Sequence, residues 1–171
     1  MADQPCDSMN DVRATFDALV GQLDYPMFIV TTATDDERAG CLVGFATQTS
    51  IDPSRFLVCL AKTNHTYEVA RAAAVLAVHL VPEDGGTLAE LFGGQTGDRL
   101  DKFAQCDWRP GPAGVPILVR CENWFAGRVL ERLDAGDHDA FLLAPIAAAA
   151  GGDRGQFSFR RARSIQPGHP S

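Results

Sequence analysis

Two stretches of the chain concentrate side chains that can bind or react. The first, Gly44-Phe45-Ala46-Thr47-Gln48-Thr49-Ser50, places three hydroxyls and one amide in seven residues and leads into Ile51-Asp52-Pro53. Small side chains there let a flat ligand approach the backbone, and Thr47, Thr49 and Ser50 are neutral donors suited to carbonyl or phosphate oxygens. The competing reading is a polar hairpin whose hydroxyls satisfy their own turn. The second stretch, Gly136-Asp137-His138-Asp139, opens an apolar run. It puts His138 at the head of a strand, where Asp137 or Asp139 can orient the imidazole; the competing reading is a solvated turn histidine. Other chemistries find no support. There is no GxxxxGK phosphate loop, GxGxxG, GxSxG or HExxH, and the histidines at 65, 79, 138 and 169 are not paired at i,i+4. The five cysteines, at 6, 41, 59, 106 and 121, are odd in number and form no CxxC or zinc spacing. Cys41, Cys59 and Cys121 lie in apolar runs and read as small buried hydrophobes. No metal site is expected.

The elements that must position these stretches follow from periodicity. Residues 8–21 carry Val12, Phe16, Leu19 and Val20 at helical spacing, with Asn10 or Asp11 as cap and Gly21 as stop. Tyr25–Thr34, Cys41–Thr47, Arg55–Ala61 and Val75–Val81 read as strands. Asn64–Ala74 reads as a short helix capped by Asn64 or Thr66. Thr87-Leu-Ala-Glu90 is a capping-box pattern opening a helix to Phe92, and Asp98 can cap another through Phe103. The Pro/Gly-rich 107–116 reads as a loop. Ile117–Arg132 and His138–Ala147 read as long strands, and Gln156–Ile165 as a last one. About seven strands against three or four short helices, without βαβ alternation, make a mainly antiparallel β barrel or sandwich with helices in its connections.

The chain has 171 residues, 46% hydrophobic and 22% charged, which suits one folded domain. Fifteen basic against 22 acidic side chains give a net charge of −7, the opposite of a nucleic-acid-binding footprint. Residues 154–171 run against this balance, with four arginines and no acid. The N-terminus has no apolar signal segment, and no run approaches the ~20 apolar residues of a membrane helix. The chain therefore reads as cytoplasmic, without membrane or nucleic-acid partners.

Taken together and in order, these segments resemble the flavin reductase-like family of FMN-binding split barrels. Tyr25-Pro-Met-Phe-Ile-Val-Thr31 is similar to the family's opening strand. Gly40–Ser54 lies on its hydroxyl-rich stretch, and Lys62-Thr-Asn-His-Thr66 on its following turn. Val75-Leu-Ala-Val-His79-Leu80, Leu91-Phe92, Asp101-Lys102-Phe103, Gly136-Asp137-His138 and Phe157–Arg163 follow in family order. The family's Asn-Ser pair falls on Gly44 and Phe45, its second proline on Ser54 and its strand asparagine on His79.

The resemblance implies an antiparallel, Greek-key split β-barrel with a few short helices. It would occupy residues 23–168, after an extension over 1–22 and before a tail at 169–171. It also implies an NAD(P)H-dependent flavin reductase that binds FMN, or alternatively FAD, and supplies reduced flavin to a monooxygenase partner. A flavin-binding electron carrier without turnover is the alternative. The flavin would contact Gly44, Phe45, Ala46, Thr47, Gln48, Thr49 and Ser50, with its phosphate near Thr49–Ser50 and the turn that carries Lys62, Asn64 and Thr66. His138 would position the nicotinamide, and the assembly would be a homodimer.

Overall fold

The computed structural model describes residues 9–95, 100–166 and 168. Among these residues nine strands run in chain order: β1 Phe28–Ala33, β2 Arg38–Val43, β3 Ala46–Ser50, β4 Arg55–Ala61, β5 Val75–Leu80, β6 Trp108–Pro110, β7 Pro116–Leu118, β8 Trp124–Asp134 and β9 His138–Ala149. Four α-helices accompany them: α1 Met9–Val20, α2 His65–Ala72, α3 Gly86–Gly94 and α4 Phe159–Ala162. Seven strands form one sheet in the order β2-β1-β5-β8-β9-β4-β3, and β6 pairs with β7 apart from it. Every pairing is antiparallel.

The sheet's closure follows from connectivity. Its two edge strands, β2 and β3, are consecutive in the chain and joined by Gly44–Phe45 alone. Two residues cannot span a flat seven-stranded sheet, since strands lie ~4.8 Å apart, so the sheet curls until its edges meet. No ladder joins β2 to β3 among the described residues, which leaves the barrel split at this seam. The crossover is tied back to β4, the Cys59 N–H donating to the Phe45 carbonyl at 2.9 Å.

β1 and β5 are buried on both faces, which is why their sequences do not alternate apolar with charged residues; their polar members, Thr31, Thr32 and His79, are themselves buried. Val30, Val58, Leu76, Val78, Phe141 and Leu143 fill the barrel interior. Ile29, Phe92, Phe103, Leu118 and Phe157 form a second cluster, to which α3 and the C-terminal segment contribute. Phe92 and Phe103 meet edge-on with centroids 5.6 Å apart, as packing residues. His79 is fully buried: its Nδ1 lies 3.0 Å from the Ile29 carbonyl, and its Nε2 accepts from the Leu118 N–H at 3.1 Å. Those partners fix a neutral imidazole with the proton on Nδ1, and desolvation lowers its pKa to about 4.

Several local expectations change. Cys41–Thr47 is two strands, because Gly44 and Phe45 leave one sheet edge for the other. The loop 107–116 contains β6, and the long strand over 117–132 is broken between β7 and β8, where Asn123 turns the chain. Its side chain donates to the Gly152 carbonyl at 2.7 Å and accepts from the Gly151 N–H at 2.8 Å. Gln156–Ile165 is not a strand: after a single bridge between Pro26 and Ser158 it coils into α4. Phe159, Ala162 and Ile165 recur every third residue, a helical interval that outweighs the alternation of Phe157 and Phe159. The Thr87 capping box does not form, since α3 begins two residues earlier than that cap would set and its N-cap is Gly85. Asp98 lies outside the described residues; Asp101 instead caps a 3-10 turn over Lys102–Gln105, accepting from the Phe103 N–H at 3.0 Å.

The C-terminal arginines are internally matched. Arg154 pairs with Glu122 at 2.8 Å, Arg161 with Glu83 at 3.0 Å and Arg160 with Asp24 at 3.9 Å, while Arg163 donates to the Gly21 carbonyl. The basic run in the sequence is thus met by acids and carbonyls from elsewhere in the fold. Cys41 and Cys121 are buried free thiols, pushed by desolvation up to about 11 and about 12 respectively. Among the described residues no helix is long and apolar enough to cross a membrane, and no cluster of potential metal ligands occurs.

Candidate functional site

The split seam opens a cleft of about 170 Å³ where β2 hands over to β3. Gly44 and Phe45 form its floor, Cys59–Ala61 at the end of β4 one wall, and Tyr25 with Phe159 another; Asn64 and His138 stand at its edge. Each is placed by a local cause. Tyr25 stacks on Phe159 with ring centroids 4.6 Å apart and an interplanar angle of 14°. The Tyr25 ring lies across the Gly44 backbone so closely that a Cβ at 44 would sit 2.6 Å from its Cε2. Glycine is therefore required there by contact.

Phe45 is 57% exposed, and its ring centroid lies 5.3 Å from that of His138. His138 opens β9 opposite Ala61 in register, and its Nδ1 is 2.7 Å from Asp137 Oδ1. That contact holds the Asp137 carboxyl below the usual carboxylate range. The turn carrying them is held by Lys62, whose ammonium donates to Asp134 at 2.9 Å and to the Gly136 carbonyl at 2.7 Å. It also lies 3.4 Å from Asp139, which accepts from the Tyr67 hydroxyl at 2.8 Å. Asn64 caps α2, accepting from the Thr66 N–H at 3.0 Å.

Of the residues singled out in the sequence, the cleft brings together Gly44, Phe45, Asn64 and His138. Thr47, Gln48 and Thr49 are exposed on edge strand β3, with Ser50 at its end. The Thr47 hydroxyl donates to the Gln48 carbonyl at 3.3 Å and the Gln48 amide to the Ser50 carbonyl at 3.2 Å, so these polar groups serve their own strand within one chain. Ala46 pairs with Val58 beside the crossover. Thr66 is buried, with its hydroxyl against the Cys41 thiol. Lys62 is committed to the Gly136 turn and does not face the cleft. Tyr25, Met27, Cys59 and Phe159 line the cleft without having been read as site residues. The aromatic-Pro start of the first strand and the Phe157-Ser-Phe159 spacing were the signals for two of them.

The cleft is electrostatically quiet. Burial raises the Cys59 thiol and the Tyr25 phenol, so both stay neutral near pH 7. Apolar and aromatic walls with an amide and an imidazole at the edge suit a flat, neutral heteroaromatic ring with a polar rim, and an isoalloxazine meets that description. Pockets for a whole small ligand are ~300–1,000 Å³, so this cleft is too small to enclose a molecule of flavin size.

Comparison with known proteins agrees with this geometry. The flavin reductase like domain profile matches residues 20–166. The chain is 29% identical over 159 residues to FMN reductase (NADH) RutF of Ancylobacter novellus, covering 92% of this chain and 87% of that one. It is 35% identical over 113 residues to the stachydrine N-demethylase reductase subunit Stc3 of Rhizobium meliloti, covering 64% of this chain. It spans 48% of that longer relative's length. The solved structure of Streptomyces globisporus NADH:FAD oxidoreductase SgcE6 superposes with a TM-score of 0.78 at 22% identity, covering 93% of this chain and 92% of that one, a likeness of fold. With the split barrel, the seam cleft and a profile match over most of its length, the chain belongs to the flavin reductase like domain family.

Proposed function

We propose that this protein is an NAD(P)H-dependent flavin reductase that binds FMN, with FAD as the alternative, at the Gly44–Phe45 seam and supplies reduced flavin to a monooxygenase partner. The observation that carries this is the convergence of Gly44, Phe45, Asn64 and His138 on one aromatic cleft, although they come from three separate parts of the sequence. Flavin supplies the two-electron acceptor chemistry of such a reaction. The chain's own part is to bind, orient and exclude water. Gly44 lets a ring lie against the backbone, Tyr25 and Phe45 offer aromatic surface, and Asn64 sits where the start of α2 favours an anion. His138, held by Asp137, is a positioning residue for the nicotinamide beside Phe45.

A second copy of the chain completes the site in this reading. One chain encloses only about 170 Å³ at the seam, and α1 leaves Val12, Phe16 and Leu19 at 55–60% exposure. An isolated twelve-residue helix is marginal in water, so such a face calls for a partner. A cytoplasmic location, where reduced nicotinamide is available, accords with this function.

The test is anaerobic NADH oxidation with excess FMN, followed by absorbance. Many equivalents of flavin bleached per protein are expected. One equivalent or none would replace the reductase by a carrier.

A further inference from the structure

A buried charge without a counter-charge is rare, and Lys102 carries one. The residue opens the turn capped by Asp101 and is only 5% exposed, with its side chain between β2 and α3. Its ammonium donates to the Gly40 carbonyl at 3.0 Å and to the Phe92 carbonyl at 3.1 Å, and lies 5.5 Å from the Phe92 ring centroid. Two carbonyl oxygens and a ring face all favour the cation. Desolvation opposes them and pulls the group below the usual lysine range. Among the described residues no carboxylate pairs with it. Its neighbour Asp101 lies 3.6 Å from Arg38 and accepts from the Phe103 N–H.

This charge stands behind the seam. Gly40 and Leu42 are alternate residues of β2 and so share a face. Leu42 packs against the second core cluster with Phe92 and Phe103, and it also lines the seam cleft. Alternate strand residues are ~7 Å apart, which puts the ammonium ~10 Å from the cleft. Its field reaches that far, since the Cys41 thiol, another lining group, feels the Lys102 charge. Other cations near the cleft are offset. Lys62 is matched by Asp134 and Asp139, His138 by Asp137, and Arg163, which acts on the Tyr25 phenol, is opposed there by Asp24.

We infer that the Lys102 ammonium stabilises, through space, the negative charge that hydride transfer places on a flavin ring at the seam. This rests on the seam as the flavin site. Two electrons and one proton leave the reduced nicotinamide, which becomes a cation, and the flavin ring takes them up and gains one negative charge. A unit positive charge ~10 Å away, at an effective dielectric of ~20, favours that added charge by ~10-fold. The oxidised ring is neutral and gains nothing. Lys102 touches neither ring and passes no proton, and it also ties β2 to α3, so charge and support have to be separated.

Lys102→Gln separates them, because it keeps an N–H donor for the carbonyls and loses the charge. The midpoint potential of bound FMN, read by equilibration with a reference dye, should fall by about 30 mV. That equals 10-fold weaker binding of the reduced form in a two-electron couple. Affinity for oxidised FMN, from the visible flavin bands, should stay within about twofold of wild type. An unchanged potential, or equal losses of oxidised and reduced affinity, would leave Lys102 a structural tie and overturn the inference. If Lys102→Gln does not fold, nitrogen-15 NMR of the wild type decides. Lys102 should be an ammonium at pH 7 in the flavin-free protein, and its Nζ resonance should move when bound FMN is reduced; a neutral amine or an unmoved resonance overturns the inference. Gly44→Val tells the two readings apart. Weaker FMN binding there, beside an unchanged potential in Lys102→Gln, sinks the inference alone, whereas wild-type FMN affinity in Gly44→Val removes the seam site and the inference with it.

Discussion

Two histidines show how much environment decides at the scale of single residues. His138 stands at the edge of the seam with an acid beside it and an aromatic ring 5.3 Å away, an arrangement that orients without committing the ring to a structural bond network. Replacing it by alanine should raise the KM for NADH by ~10-fold with a smaller change in kcat, and leave FMN affinity nearly unchanged. Steady-state kinetics beside an FMN titration would check this; an equal loss in kcat alone would argue for a direct chemical role. His79 is the opposite case, locked between an acceptor and a donor in the interior. Its folded pKa of about 4 lies below the ordinary 6.5, so the unfolded chain takes up the proton first. The stability it contributes is complete above pH 6.5 and is lost as pH falls from there through 4, at up to ~1.4 kcal/mol per pH unit. Denaturant titrations across that range should show a shallower pH slope for His79→Gln than for the wild type.

Contacts between elements are set where backbones approach closely. A Cβ on Gly40 would lie 2.8 Å from the Phe92 ring and 3.2 Å from Thr31, and Phe92 is fully buried and cannot yield. Gly40→Ala should therefore push α3 off β2 and cost ~1–3 kcal/mol, seen as a lower denaturation midpoint at unchanged m-value. The elements themselves were largely legible in the sequence. Arg55–Ala61 is a strand over the residues its β-branched and apolar pattern named, and Asn64 caps α2 as its side chain suggests. What was not legible depends on distant partners. Gly44–Phe45 interrupts an apparently continuous strand because the sheet closes there, and α4 replaces an expected strand because its apolar residues pack at helical intervals against the second core cluster. The site was half legible for the same reason: Gly44 and His138 stand out locally, whereas Tyr25, Cys59 and Phe159 line the cleft only through tertiary packing.

At the scale of the whole molecule, an acidic chain folds into a split barrel in which the seam and the apolar face of α1 are left open by the described residues of one chain. Light scattering should give twice the monomer mass for the wild type. Phe16→Asp with Leu19→Asp should shift it toward the monomer and weaken FMN binding with it; a monomeric wild type that still binds FMN would remove the second copy from the account. The central claim, that flavin lies on the Gly44 backbone at the seam, is tested most directly by titrating FMN into wild type and Gly44→Val and following the visible flavin bands. A side chain at 44 drives Tyr25 and Met27 into the cleft, since even a Cβ would come within 2.6 and 3.3 Å of them. Shifted flavin bands are expected with the wild type, and an affinity at least ~10-fold weaker for a folded Gly44→Val protein. Equal affinity in both, or no shift with either, would contradict it.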